Sequence, residues 1–265
     1  MLLDPVSKRL LNNHEKNGFV SMMYHSITPG ASRPAWQWAL SFKRFEEQLA
    51  LLQDFGWTTV LAGELAAIDA LPAKSVLLTF DDGYADNYAA FEALTQRGMK
   101  ASWYVVTRDL GQTASWRDDD APRLPLLTPS QLLEMHAAGM EIGSHTHSHC
   151  RLTQASREQI EAELTRSRAI LSDLLDRPVM SFAYPYGLYN ESVMSAVQTA
   201  GYRVALTTRP GFGLVNQNLL AVRRVSIMAD DTLSSFARKL AFADNDVSWS
   251  KLGRYVGDRI KARLK

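Results

Sequence analysis

A single cysteine, Cys150, excludes an internal disulfide framework. No uncharged apolar run approaches the roughly 18 residues that a membrane-spanning helix needs. The opening stretch MLLDPVSKRLLNNHEKNGF lacks the basic-then-apolar pattern of a secretory leader, because Asp4 and Pro5 interrupt its only apolar start. A cytoplasmic protein is therefore expected. Excess charge of one sign is also missing: 29 basic residues face 28 acidic ones, a net +1 over 265 residues. That balance argues against a general nucleic-acid binder, whose affinity rests on a strongly basic surface. There is no Gly/Ser/Pro-rich linker, internal repeat or low-complexity tract. One domain over residues 1–245, followed by a short tail over 246–265, is the expectation.

What the chain does have is an alternation of short apolar runs with amphipathic helices. Strands are expected at GFVSMMYH (18–25), KSVLLTF (74–80), KASWYVV (100–106), MEIGS (140–144), PVMSFAY (178–184), YRVALTT (202–208) and LLAVRRVSI (219–227). Phe42, Phe45, Leu49 and Leu52 fall on one face at helical spacing. Thr128-Pro129-Ser130-Gln131 reads as a capping box with proline at the first helical position, and Gly139 closes that helix. Ser156 with Gln159 opens a long helix through Leu175, and Asn190 to Gly201 brackets another. Alternation of this kind implies an α/β protein with a mostly parallel sheet covered by helices, arranged as one barrel. The longest irregular connection, residues 107–127, has the length of a functional lid or wall.

Two stretches carry chemistry. GSHTHSHC (143–150) holds three of the six histidines, His145, His147 and His149. On a strand all three rings would share a face; on a helical turn only His145 and His149 would. In SVLLTFDDGYADN (75–87) a buried-looking strand runs into Asp81-Asp82-Gly83. Asp-Gly is a common turn, yet adjacent carboxylates repel unless a cation or proton compensates. Gly83 also frees the backbone so that both side chains can converge. One carboxylate with two imidazoles makes a three-ligand set with open positions. Such a set suits zinc, and also iron, cobalt or nickel. The remaining carboxylate is then free to accept a proton from water.

TFDDG (79–83) and HTHSH (145–149) together resemble the first two motifs of the polysaccharide deacetylase family, also called the NodB-homology domain. Motif order and flanking pattern agree across most of residues 18–227. The resemblance implies an irregular (β/α) barrel with about seven parallel strands, and metal-dependent removal of an N-acetyl group from an amino sugar. It makes Asp81 the catalytic base and Asp82, His145 and His149 the ligands of one divalent metal, with zinc first. His147 and Cys150 are then bystanders. A third family motif, usually Arg-x-Pro-Tyr, stands here as Ala183-Tyr184-Pro185-Tyr186. The Tyr186 backbone N–H can still serve an oxyanion, but the arginine that orients the base is gone. Arg223 or Arg224 could replace it, and strand alternation lets only one of them point inward. The family's C-terminal histidine is missing as well. A permuted subset resembling poly-N-acetylglucosamine deacetylases carries that element near the N-terminus, which makes His25 the general acid and Met23 a lining residue of the acetyl pocket.

The expected partner is an N-acetylated glycan or a lipid-linked glycan precursor. Trp36, Trp38 and Trp116 lie in loops where they could stack on sugars or serve only as packing. In the tail, Trp249, Leu252, Val256, Ile260 and Leu264 form one helical stripe amid basic residues, so peripheral contact with an anionic membrane is a further expectation.

Overall fold

The computed structural model describes residues 3–12, 18–67, 70–116, 121–214, 218–248 and 250–254. Its strands are β1 (Phe19–Tyr24), β2 (Ser26–Thr28), β3 (Ala39–Ser41), β4 (Thr58–Val60) and β5 (Ser75–Phe80), then β6 (Ser102–Val105), β7 (Glu141–Ser144), β8 (Ser181–Ala183), β9 (Val204–Leu206) and β10 (Val225–Ser226). The helices are α1 (Pro5–Asn12), α2 (Phe42–Asp54), α3 (Asn87–Gln96), α4 (Pro129–Ala137), α5 (Arg157–Leu175), α6 (Glu191–Thr199) and α7 (Leu233–Phe242).

The sheet runs β10-β1-β5-β6-β7-β8-β9, parallel at every ladder, with β4 paired alongside the start of β5. Hydrogen bonds bring its two ends together. Val222 N–H donates to the Ala205 carbonyl at 2.9 Å, and Thr207 N–H donates to the Val222 carbonyl at 2.8 Å. The segment leading into β10 therefore lies against β9, and the sheet curls into an irregular (β/α) barrel. All seven expected strands lie on this path. The last is shorter than expected, because residues 219–221 wind into a 3₁₀ turn and only Val225–Ser226 pair with β1. The strands not foreseen, β2, β3 and β4, have three residues each, too few for alternation to register.

Side-chain alternation divides the core in two. Phe19, Leu77, Tyr104, Ala183, Leu206 and Val222 fill the barrel interior. Their neighbours Val20, Val76, Leu78, Trp103, Phe182 and Ala205 face outward, under the helices. Phe80 stacks on Trp103 at 4.6 Å between ring centroids, and Tyr24 stacks on Phe80 at 5.1 Å, which seals the outer layer around α2. The capping boxes read from the sequence are present at Thr128 and Ser156, so α4 and α5 begin where their first unpaired N–H groups are satisfied. Because every strand of the path runs the same way, the connections after their C-terminal ends gather at one mouth of the barrel.

Leu252, at the start of the expected tail stripe, is buried against Leu10, Ala241, Phe242 and Val247. Trp249, Val256, Ile260 and Leu264 lie outside the described residues. No helix among the described residues is long and apolar enough to cross a membrane.

The interior is tight enough to test. A Cβ placed on Gly143 of β7 would sit 2.5 Å from the Tyr104 ring and 2.7 Å from Ser181 Oγ. Gly143→Ala is expected to cost about 1–3 kcal/mol through overpacking. Thermal unfolding should register this as a lower midpoint, and an unchanged midpoint would mean a looser barrel than the one described.

Candidate active site

At the end of β5 the chain reaches Asp81, two positions beyond Thr79 on the interior side. A regular strand would send Asp82 to the opposite face. Instead Asp82 adopts a left-handed backbone, with φ of 70°. Gly83 N–H donates back to the Asp81 carbonyl at 2.9 Å, closing a tight turn. Gly83 is itself left-handed, with φ of 80°, and a Cβ there would lie 2.9 Å from Val105 Cγ1. Both carboxylates therefore reach the same mouth, and both are buried.

Asp82 meets two imidazoles. Its Oδ1 lies 3.5 Å from His145 Nε2 and 3.3 Å from His149 Nε2. One ligand atom from each of these residues falls within 4.8 Å of the others, and all three residues are buried. His145 Nδ1 is 2.8 Å from the Ala183 carbonyl, which accepts only from a protonated nitrogen. That contact assigns the N–H to Nδ1 and leaves the Nε2 lone pair facing Asp82. Burial pushes the His145 pKa down to about 4, against the opposing pull of the Asp81 charge, so the ring is neutral at pH 7. Burial alone would raise the Asp82 pKa; the surrounding histidines, His149 foremost, bring it well below the ordinary carboxylate range. An ionised carboxylate whose Oδ1 has no hydrogen-bond partner, beside two imidazoles with nitrogens turned toward it, is a donor set that fits a divalent cation.

His147 turns away. Its Nδ1 lies 2.9 Å from Thr107 Oγ1, and it takes no part in the donor cluster. Neither regular geometry weighed for the three rings applies, because residues 145–149 form an irregular turn with Thr146 and His149 left-handed (φ 68° and 59°). Two polar groups hold that turn. His149 N–H donates to Thr146 Oγ1 at 2.9 Å. From α5, Glu163 accepts the His147 N–H at 2.9 Å, the Ser148 N–H at 2.8 Å and the Ser148 hydroxyl at 2.6 Å. Glu163 was not foreseen, since nothing in the pattern of α5 separates it from exposed neighbours such as Glu158 and Glu161. Cys150 is half-buried, and burial together with Glu163 pushes its thiol pKa up to about 12, so it stays a protonated bystander.

Asp81 faces a different partner. Arg224 donates from its two terminal nitrogens to Asp81 Oδ1 at 2.6 Å and Oδ2 at 2.7 Å. Its Nε donates to the Thr207 carbonyl at 2.9 Å, and one terminal nitrogen also reaches Thr79 Oγ1 at 3.1 Å. The guanidinium is wholly buried. Burial alone would raise the Asp81 pKa, but the Arg224 charge more than reverses that and holds the carboxyl below its ordinary value. Arg223, the other arginine open to this role, is exposed and donates only to the Pro210 carbonyl at 3.4 Å. Its neighbour alone points inward. Backbone contacts from outside fix the segment: Lys239 Nζ donates to the Ser226 carbonyl at 2.8 Å, and Ser226 N–H donates to Asn245 Oδ1 at 2.8 Å.

The remaining residues surround this pair of clusters. His25 follows β1 directly, with a buried Nδ1 that no group of the described chain engages. Burial lowers its pKa, and the charges of Asp82 and Asp81 oppose that. Trp38 lies 5.0 Å from the His25 ring and Trp36 6.4 Å, so both tryptophans wall the imidazole. Asp86 accepts the Ser26 hydroxyl at 2.5 Å and so ties the residue after His25 to the connection after β5. Met23 is buried in β1, in register with Thr79 on one side and Ser226 on the other. Tyr186 has a left-handed backbone (φ 59°), and its ring lies 4.7 Å from His149. Trp116, from the long connection, lies 5.0 Å from the other side of the cluster at His149. That connection is tied to the Asp-Asp-Gly turn, since Leu127 N–H donates to the Gly83 carbonyl at 2.8 Å. An open groove of about 1030 Å³ begins at Ser26 beside His25 and runs between Trp36 and Leu124.

Comparison with known proteins agrees with this geometry. The family model described as polysaccharide deacetylase matches residues 69–205. A Bacillus subtilis (strain 168) protein, YxkH, named for the same family, is 32% identical over 220 residues, covering 81% of this chain and 73% of its own. The poly-β-1,6-N-acetyl-D-glucosamine N-deacetylase of Staphylococcus aureus (strain MSSA476) is 21% identical over 250 residues, 85% of this chain and 84% of the relative. Among solved structures, the Streptococcus pyogenes deacetylase PplD, in complex with acetate, superposes with a TM-score of 0.73 at 26% identity, covering 84% of this chain and 98% of that one. The chain belongs to the polysaccharide deacetylase family.

Proposed function

We propose that this protein is a metal-dependent hydrolase that removes N-acetyl groups from an amino-sugar-containing glycan or glycan precursor. The observation that carries the reading is the division of labour between adjacent aspartates. Asp82 faces two imidazoles, while Asp81 is kept ionised by a forked arginine and directed to the same mouth. A glycan-binding barrel without turnover has no need of a second, separately charged carboxylate there. The names of the relatives, a poly-N-acetylglucosamine deacetylase and a deacetylase complexed with acetate, support the same class.

Asp82, His145 and His149 hold the ion in this reading, zinc first. Bound there, a divalent ion supplies Lewis acidity, polarising a carbonyl oxygen and bringing the pKa of water toward neutrality. Asp81 accepts the proton of the attacking water, and Arg224 keeps its carboxylate ionised and oriented. The Tyr186 N–H serves the oxyanion that forms on the acetamide, and Met23 lines the wall near the acetyl methyl. His25, whose imidazolium is acidified by burial, donates the proton that the departing amine needs. The groove beside His25 and Trp36 gives the rest of the glycan a path away from the centre. Because Ala183 stands where the family's arginine usually does, hydrolysis of an O-acetyl ester or another amide is the alternative chemistry.

Metal analysis combined with an acetate-release assay on N-acetylglucosamine oligomers tests the reading. The wild type should retain one divalent ion per chain and release acetate, and chelation should abolish that release. Asp81→Asn and His25→Ala should each keep the ion and the fold while turnover falls by about 10²–10⁴. Acetate from O-acetylated sugars alone would favour the ester reading, and a metal-free active protein would refute metal dependence.

A second test concerns Arg224. Replacing it with glutamine leaves Asp81 buried without its counter-charge, which is expected to cost about 3–5 kcal/mol in denaturant unfolding. The depressed Asp81 pKa supports stability and activity above the ordinary carboxylate range, and both fade as pH falls through the lower folded value. In a folded Arg224→Gln protein the acid limb of kcat/KM should therefore move to higher pH, while Arg224→Lys, which keeps the charge, should move it less. A limb that stays in place would mean that Asp81 is not the group titrating.

A further inference from the structure

One flank of the mouth carries charge that the reaction does not use. Arg151 follows the metal-site turn, and its guanidinium carbon sits 3.6 Å from the centre of the Tyr186 ring. Arg209 follows β9, and its guanidinium sits 5.0 Å from the centre of Tyr189, which stacks in turn on Tyr184. Both arginines thus cover the turn of residues 184–189, which also carries the Tyr186 N–H. Both are exposed, and among the described residues neither forms an ion pair.

Most surface arginines are mobile and solvated. These two are seated on aromatic faces, which immobilises the planar head while leaving N–H donors along its rim. The ordering entropy that binding normally costs is thereby reduced before any ligand arrives. Their position sets the scale. Arg151 covers the ring that contacts His149 at 4.7 Å, so it stands two ring contacts from a proposed metal ligand. A pyranose ring bridges such a span. Thr208 packs into the same turn, where a Cβ on Gly187 would come within 2.1 Å of its hydroxyl, so its neighbour Arg209 lies beside the turn that carries the Tyr186 N–H.

We infer that Arg151 and Arg209 form an oxyanion subsite, so that the substrate is an anionic glycan carrying a carboxylate or phosphoryl group on the reacting amino sugar or its immediate neighbour. The inference rests on the deacetylase reading and names the substrate class for that site. In-plane pairs of oxygens suit a guanidinium fork, and both groups offer them.

The zinc-loaded full chain tests this with three substrates: the methyl glycoside of N-acetylglucosamine, N-acetylglucosamine 1-phosphate, and a disaccharide joining glucuronate to N-acetylglucosamine. At least one charged substrate should exceed the neutral one by about tenfold in kcat/KM, mainly through KM, with the advantage falling as salt rises. Whether phosphate or uronate gains more identifies the oxyanion. Arg151→Gln and Arg209→Gln should each shrink the charged-to-neutral ratio toward one, and lysine at either position should restore part of it. Binding of the corresponding free amines, which cannot turn over, should show the same ranking with the wild type and needs no variant. Equal kcat/KM and equal amine binding for charged and neutral compounds would overturn the inference, as would a charge preference that survives both glutamine variants. Failure of all three substrates to yield acetate, with charged amines still bound preferentially, would refute the deacetylase reading and leave the anion subsite standing.

Discussion

A buried guanidinium forked onto a buried carboxylate is the constraint around which the mouth of this barrel is arranged. Arg224 immediately precedes β10 and Asp81 immediately follows β5, far apart in the chain and joined at 2.6 and 2.7 Å. Neither group could be buried alone without a penalty of several kcal/mol. Together they fix the spacing between β10 and the end of β5, with β1 between them. Thr207 and Thr79 take up two of the three remaining N–H groups of the guanidinium. The proposed division between a proton-accepting Asp81 and a metal-binding Asp82 depends on this arrangement, because it gives two neighbouring carboxylates different electrostatic surroundings.

The second requirement is unusual backbone. Of the seven non-glycine residues with positive φ among the described residues, Asp82, Thr146, His149 and Tyr186 lie at the mouth. Such conformations cost of order 1–3 kcal/mol each and persist where surrounding contacts over-determine them. Here the contacts are identifiable: the Gly83–Asp81 turn, Glu163 under the histidine turn, and the 185–187 turn packed on Thr208. Strain is thus spent on bringing together side chains that strand geometry would disperse.

Much of this was legible in the amino-acid order. The seven strands of the path, the capping boxes, the Asp81-Asp82 pair and the histidine run 145–149 each leave a local signature, while the preference for His145 and His149 over His147 came from the family resemblance. Buried strands leave apolar runs, helix starts leave Ser or Thr with Gln three positions later, and the site leaves paired charges beside a sheet. The choice between Arg223 and Arg224 was not legible. Both fall within one expected strand, of which only Val225–Ser226 forms, and which one faces inward depends on the register of that short strand with β1 and on the turn at 219–221. Glu163 was hidden for a similar reason: its value comes from three N–H and O–H groups on a distant turn, which helical periodicity cannot report. Asp86, holding Ser26 next to His25, was not foreseen at all. Contacts of long sequence separation, between polar groups with no periodic pattern, are where reading from sequence stops.

The segment that closes the barrel also delivers Arg224. During synthesis, residues 75–149 emerge with both aspartates and with His145 and His149, but the guanidinium that pairs with Asp81 takes its place only when the segment around residue 222 has docked between β9 and β1. A polypeptide ending before residue 222 therefore contains Asp81, Asp82, His145 and His149 without the guanidinium that orients Asp81. Closing the barrel and seating the guanidinium that orients the buried Asp81 are therefore one structural event.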